Sequence, residues 1–217
     1  MRKKSAKWQE LKSIDFYFIT DSGLSKKGIL NDVQEAINAG CKIVQYREKN
    51  KNKNQMHEAL QLRKICDKNS AVFLINDDVK LALATGADGV HLGLEDMEYS
   101  AARKMFDSKI IGLTVHNVKE AIEAERIGAD YVGLSPIFKT STKKDAGNPC
   151  GTAMIKKVRQ KTKLPIVAIG GITKQNVADV IRAGADSAAA ISAVLSGDVR
   201  KDVADFIKII KKNKKKL

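Results

Sequence analysis

The chain has 217 residues, 43% of them hydrophobic and only 3 of them proline, so it can bury a sizeable core and is not a disordered sequence. Its formal net charge of +14 resembles a nucleic-acid signal until the charge is located: residues 1–12 carry five basic side chains against one acid, residues 208–217 carry six lysines, and about +4 is left for the body. Apart from Trp8, no aromatic residue interleaves with the terminal lysines as a stacking platform needs, so specific nucleic-acid binding is not expected; small anionic substrates suit the mildly basic body better.

No apolar run approaches the roughly 18 residues of a membrane span. Met1-Arg-Lys-Lys-Ser-Ala-Lys has no apolar segment behind it and does not read as a secretory signal. Cys41, Cys66 and Cys150 are odd in number and show no C-x-x-C spacing, which argues against a disulfide framework or a zinc site and for a reducing cytoplasm.

In chain order, Trp8–Leu11 reads as a short extra helix before a first strand at Phe16–Thr20. The helical pattern Ile29, Val33, Ala36, Ile37 follows and closes at Gly40. The phrase around Gly40-Cys41 then recurs as Gly86-Ala87-Asp88, Gly128-Ala129-Asp130 and Gly184-Ala185-Asp186. Each copy ends an amphipathic stretch at a glycine suited to a left-handed helix terminus, and an apolar run begins two residues later. The copies lie about two βα units apart, and a further apolar run sits between each pair: Val72–Ile75, Ile110–Leu113 and Ile166–Ile169. Eight strands alternating with eight helices in a single domain over 1–217, with lysine-rich tails at 1–12 and 208–217, is the arithmetic of a (β/α)8 TIM barrel. The rival, an open doubly wound sheet, lacks its G-x-G-x-x-G signature after the first strand.

In such a barrel the active site lies at the C-terminal strand ends. After the second strand, Gln45, Arg47 and Lys49 stand at alternate positions and share one face if the strand persists, a row suited to an anion. After the third come Asn76, Asp77 and Asp78; Asp77 could hold a metal, although Asn and Asp are also ordinary helix caps. The fourth strand ends in His91, read as a packed strand residue, and leads to Glu95 and Asp96. Asp77 with Asp96 suits Mg²⁺, which takes one or two protein carboxylates and completes its shell with water and phosphate oxygens. Thr114 after the fifth strand could donate to a phosphate, and His116 could be a general base or a loop residue. The connection after the sixth strand, Leu134–Gly151, is long, polar and basic, with Thr140, Thr142, Lys143 and Lys144 packed together. Gly170-Gly171 after the seventh strand, with Ile191-Ser192 at the end of the eighth, occupy the usual phosphate-binding end of a barrel. Two anion sites emerge, one cationic and suited to a diphosphate, one built from amides and hydroxyls and suited to a monophosphate.

Six motifs, in order, resemble the thiamine phosphate synthase family: Gln45-Tyr-Arg-Glu-Lys49, Ile75-Asn-Asp77, Gly89-Val-His-Leu-Gly-Leu-Glu-Asp96, the Pro136–Gly147 loop, Ala168-Ile-Gly-Gly-Ile172 and Ile191-Ser192. The resemblance implies a transferase of thiamine biosynthesis. A hydroxymethylpyrimidine diphosphate would lose pyrophosphate by a dissociative, Mg²⁺-assisted route, and a thiazole phosphate (or its carboxylated precursor) would attack the pyrimidine methylene. It further implies that Gln45, Tyr46, Arg47, Glu48, Lys49, Asn76, Thr114 and Lys143 form the pyrimidine diphosphate site, with Arg47, Lys49 and Lys143 carrying the catalytic charge. Thr140, Ser141, Thr142, Gly171, Ile191 and Ser192 would hold the thiazole phosphate, and Asp77 and Asp96 the Mg²⁺. Tyr46, Leu94, Lys139 and Ser187 depart from the residues commoner in that family. The alternatives are a thiazole tautomerase on the same barrel, dependent on His116, and a non-catalytic phosphate- or RNA-binding protein supported only by the lysine tails.

Overall fold

The computed structural model describes residues 11–49, 54–93, 95–142 and 147–214. Eight parallel strands close into a barrel in sequence order, β1 (Phe16–Ile19), β2 (Ile43–Tyr46), β3 (Val72–Asn76), β4 (Gly89–Leu92), β5 (Ile110–Val115), β6 (Tyr131–Leu134), β7 (Ile166–Ile169) and β8 (Ser187–Ala189), with β8 pairing back onto β1. The outer ring comprises α1 (Ile29–Asn38), α2 (Gln55–Lys68), α3 (Val79–Ala84), α4 (Tyr99–Met105), α5 (Val118–Ile127), α6 (Gly151–Arg159), α7 (Val177–Arg182) and α9 (Val199–Lys214), with the one-turn α8 (Ser192–Leu195) inserted after β8. The expected barrel is present with this one addition. The sequence reading ran the eighth strand on through Ala190–Ala193; instead the strand ends at Ala189 and Ser192 opens α8.

The strands are almost wholly buried because each has two apolar faces to cover. Outward side chains such as Phe18, Val44, Phe73, Val90 and Ile111 pack with the helices, and the buried stripe of α1 is the expected Ile29, Val33, Ala36 and Ile37. Inward side chains Tyr17, Ile43, Val72, Leu74, Ile110, Tyr131 and Val167 form a separate interior cluster, closed at the N-terminal end of the strands by Leu11 and Ile14. The described part of the expected N-terminal helix is a 3-10 turn, Leu11–Ser13; residues 8–10 lie outside the described set. Lys214, in the last turn of α9, donates to Ile14 O at 2.8 Å and pairs with Asp15 at 3.1 Å, so part of the C-terminal lysine run clamps this floor. Ser187, one of the family departures, is buried and donates its hydroxyl to Asp15 O at 3.0 Å.

The recurring phrase has a shared physical task. The carboxylates of Asp88, Asp130 and Asp186 accept from Phe73, Ile111 and Ile166 N–H at 2.8–2.9 Å, each tying an even-numbered strand to the one before it. Each also pairs with an arginine from a neighbouring helix: Arg63, Arg103 and Arg159 respectively. The glycines before them have positive φ, as their helix-closing role requires. In the first copy Lys42 stands at the aspartate's position, and Cys41, one residue earlier, sets its thiol against the Ile43 and Phe16 carbonyls.

Candidate active site

A cavity of about 870 Å³ opens at the C-terminal ends of the strands. On one side it is lined by Gln45, Arg47, Glu48, Lys49, Asn76, Asp77, Asp96 and Thr114, and on the other by Thr140, Thr142, Gly170, Gly171, Ile191 and Ser192. The sequence-derived site residues are thus largely brought together. Three are not. Tyr46 points outward, is buried, and donates its hydroxyl to Glu58 Oε2 at 2.7 Å on α2; it does not reach the cavity. Ser141 is exposed and does not line the cavity. Lys143 lies outside the described residues, as do Lys144 and Leu94.

β2 ends at Tyr46, so the expected shared strand face does not persist to Lys49. Arg47 is held another way. Its N–H donates to Thr20 Oγ1 at 2.8 Å while that hydroxyl donates to Arg47 O at 3.1 Å, and its guanidinium donates to Asp21 Oδ2 at 2.9 Å. Asp21 was not singled out in the sequence, and nothing short of knowing that Arg47 faces the same mouth marks it there.

The helix-cap question for the carboxylates is resolved by geometry. Asp78 caps α3, its Oδ1 accepting from Leu81 N–H at 2.9 Å. Asp77 has φ 64°, a left-handed conformation rare outside glycine and tolerated best by Asn and Asp, and its N–H donates to His91 O at 2.8 Å. Asp96 is not a cap either; its Oδ2 accepts from Gly93 N–H at 2.6 Å, and the cap residue of α4 is Glu98. Two carboxylates on neighbouring loops, facing one cavity and freed from capping, fit a Mg²⁺ that takes most of its shell from water and substrate oxygens. Among the described residues no group of three or more His, Cys, Asp or Glu side chains is placed to hold a metal ion by itself.

The long connection after β6 is pinned at its base. Cys150 N–H and Gly151 N–H donate to Pro136 O and Ile137 O at 2.9 and 3.0 Å, and Ile137 and Phe138 N–H donate to Ile169 O and Gly170 O at 2.9 Å. This explains the paired glycines of β7 in a way the sequence reading did not anticipate. A Cβ on Gly170 would stand 2.7 Å from Pro136 Cβ, and one on Gly171 would stand 2.5 Å from Lys139 O, so the glycines admit the neighbouring loop as well as facing the cavity. Thr142 N–H turns back onto Thr140 Oγ1 at 3.3 Å, setting both threonines at the rim.

His116 also lines the cavity, but its N–H and Nδ1 both face Glu120 Oε2, at 2.7 and 3.0 Å, within the capping arrangement that Asn117 and Glu120 give α5. Beneath the mouth, the barrel interior holds a polar group that the sequence reading missed. Gln45 Nε2 donates to Tyr17 Oη at 3.0 Å, Tyr17 and Tyr131 hydroxyls meet at 2.7 Å, and His91 bridges Tyr131 Oη (Nδ1, 2.9 Å) to Thr114 Oγ1 (Nε2, 3.0 Å). Burial pushes both tyrosine hydroxyls well above their ordinary range. Gly112 and Gly133 make the space: a Cβ on the first would stand 2.1 Å from the Tyr131 ring, and on the second 2.9 Å from His91. Inward polar residues at alternate strand positions were the available signal.

Comparison with known proteins gives a consistent result. The family model described as "Thiamine monophosphate synthase" matches residues 16–194. The thiamine-phosphate synthase of Methanosarcina mazei is 58% identical over 94% of this chain and 86% of its own length, and that of Methanosarcina barkeri 53% identical over 97% of each. The solved thiamine phosphate pyrophosphorylase from Pyrococcus furiosus superposes with a TM-score of 0.86 at 38% identity, covering 93% of this chain and 98% of that one.

Proposed function

The chain belongs to the thiamine monophosphate synthase family and is a transferase of thiamine biosynthesis; on that premise we propose how the site divides the reaction. A hydroxymethylpyrimidine diphosphate occupies the side of the cavity bearing Gln45, Arg47, Lys49, Asn76 and Thr114, and a thiazole phosphate, or its carboxylated precursor, occupies the side bearing Thr140, Thr142, Gly171, Ile191 and Ser192. The bond between the pyrimidine methylene and the diphosphate oxygen breaks, pyrophosphate departs with the bonding pair, and the thiazole nitrogen closes on the methylene to give thiamine phosphate.

The observation that carries this reading is that one cavity brings Arg47 and Lys49, with the carboxylates of Asp77 and Asp96 beside them, together with the Thr140 and Thr142 hydroxyls and the backbone of Gly171, Ile191 and Ser192. Charge neutralisation and positioning are what a dissociative displacement needs. Arg47, aimed by Asp21, and Lys49 neutralise the departing diphosphate; Asn76 and Gln45 orient the ring. Asp77 and Asp96 would hold Mg²⁺, whose charge would further lower the cost of pyrophosphate departure. Lys143, outside the described residues, belongs to the diphosphate set by its place in the loop. The alternative centred on His116 has a ring oriented by Glu120 at the cavity wall, but the matching family and relatives are synthases.

No helix of the described residues is long and apolar enough to cross a membrane, and we take the enzyme to work on small phosphorylated metabolites in the cytoplasm, without a nucleic-acid partner. Incubating the protein with both substrates and Mg²⁺ tests the assignment: thiamine phosphate and pyrophosphate should appear in equal amounts. Absence of product, or product formed at the same rate after chelation, would overturn the reaction or the metal respectively.

A further inference from the structure

A barrel interior is ordinarily filled with branched apolar side chains, since a polar atom buried without a partner costs about 1–3 kcal/mol. Here five polar side chains from five strands stand in a line, and three of them, Gln45, Tyr17 and Tyr131, are 1–3% exposed. Glycines on β5 and β6 keep the space open for Tyr131 and His91. Gln45 and Thr114, the two ends, line the substrate cavity, as do Tyr17, His91 and Tyr131.

The order of protons along the line follows from its chemistry. The Gln45 amide nitrogen can only donate, so Tyr17 Oη accepts from it. Either phenol could donate across the 2.7 Å Tyr17–Tyr131 contact; with Gln45 donating to Tyr17, the order that pairs both phenol protons within the network sends the Tyr17 proton to Tyr131 Oη. Tyr131 in turn has one proton, and it goes to His91 Nδ1. The imidazole therefore carries its own proton on Nε2 and donates to Thr114 Oγ1. Thr114 has then accepted, and its hydroxyl proton is left for an acceptor on the cavity side. Rotating the Gln45 amide to present its oxygen would reverse every bond and leave Thr114 donating into the histidine.

We propose that Tyr17, Tyr131 and His91 are positioning residues: they transmit the donor character of the Gln45 amide across the barrel and fix Thr114 as a hydrogen-bond donor to the diphosphate of the pyrimidine substrate. Phosphate oxygens offer only acceptors, so a hydroxyl held in the donating sense is complementary to them before substrate arrives. The raised tyrosine hydroxyls agree with the scheme, since both must keep their protons. The identity of the ligand rests on the reaction proposed above; the proton order does not.

The test uses substrate-free, full-length enzyme labelled with ¹⁵N-histidine. The chain has three histidines, and the His91 signals are those lost in His91→Gln. Wild-type His91 should be a single tautomer protonated on Nε2. In Tyr17→Phe, which removes one oxygen and leaves the ring in place, the two tautomers should mix. The KM for the pyrimidine diphosphate should then rise about tenfold, the scale of one hydrogen bond to a charged group, with the KM for the thiazole phosphate unchanged. A wild-type ring protonated on Nδ1, or a Tyr17→Phe ring that stays wholly Nε2-protonated, overturns the one-way chain. Mixed tautomers with an unchanged pyrimidine diphosphate KM overturn its coupling to substrate. Failure of the reaction assignment would show separately, as wild-type enzyme that forms no thiamine phosphate.

Discussion

The Arg47 guanidinium donates from Nη1 to Asp21 Oδ2 at 2.9 Å, so a cation that faces the substrate cavity is aimed by a carboxylate from the loop after β1. An arginine at the mouth of a barrel has many rotamers, and a partner that holds one of them removes an ordering cost from binding.

Asp21→Asn keeps the shape of the partner and removes its charge. The expected outcome is a rise of about tenfold in the KM for the pyrimidine diphosphate, with the KM for the thiazole phosphate and the melting temperature little changed. Steady-state kinetics with each substrate varied in turn provides the check, and equal losses for both substrates would contradict the assigned role.

Asp77 and Asp78 are adjacent and differ in task. Asp78→Ala loses the cap on α3 and should cost about 1 kcal/mol of stability, read from chemical denaturation, while turnover of the folded enzyme persists. Asp77→Asn should leave stability near wild type and abolish most Mg²⁺-dependent turnover. The pair is informative because an exchange of these two phenotypes would place the metal-facing carboxylate one residue away.

Thr142→Ala removes a hydroxyl from the rim opposite Arg47. Binding of the thiazole phosphate should weaken about tenfold, consistent with one lost hydrogen bond to phosphate, and binding of the pyrimidine diphosphate should not. Isothermal titration with each substrate alone distinguishes the two; parallel losses would dissolve the two-sided division of the cavity.

Cys41 supplies a stability signature outside the site. Burial pushes its thiol up to about 11 from 9.0, so the folded state holds the proton over a range in which the unfolded chain releases it. Between those values the native state binds more protons than the unfolded one, and stability falls as pH rises. This contribution is fully present below about pH 9 and is lost by about pH 11. Wild-type protein should lose roughly 1 kcal/mol more than Cys41→Ala between about pH 9 and about pH 10. Parallel denaturation curves for the two proteins across that window would contradict it.

Much of the barrel was legible in the sequence because its signals are local. The helix-closing glycines at 40, 86, 128 and 184 do have positive φ, and the apolar runs between them are the strands. The strand-end filter also found much of the cavity, since Arg47 and Asp77 follow their strands directly and Asp96 and Thr142 lie in the loops after theirs. What escaped were relations between distant residues. Tyr46 sits inside a motif whose neighbours face the site, yet strand alternation turns it outward to Glu58. Tyr17 and Tyr131 are 114 positions apart and read as ordinary aromatic strand residues until barrel closure puts their hydroxyls 2.7 Å apart. The paired glycines were correctly placed near the cavity, but their tight contacts with Pro136 and Lys139 depend on a loop path that no local pattern encodes.

Leu11 and Ile14 stop the N-terminal end of the strands, and α9 holds that stopper through Lys214. The molecule is therefore a cup rather than a pipe. Among the described residues the substrate cavity lies at the C-terminal strand ends, away from this stopper, so the groups proposed for both phosphates are reached from the same end of the barrel.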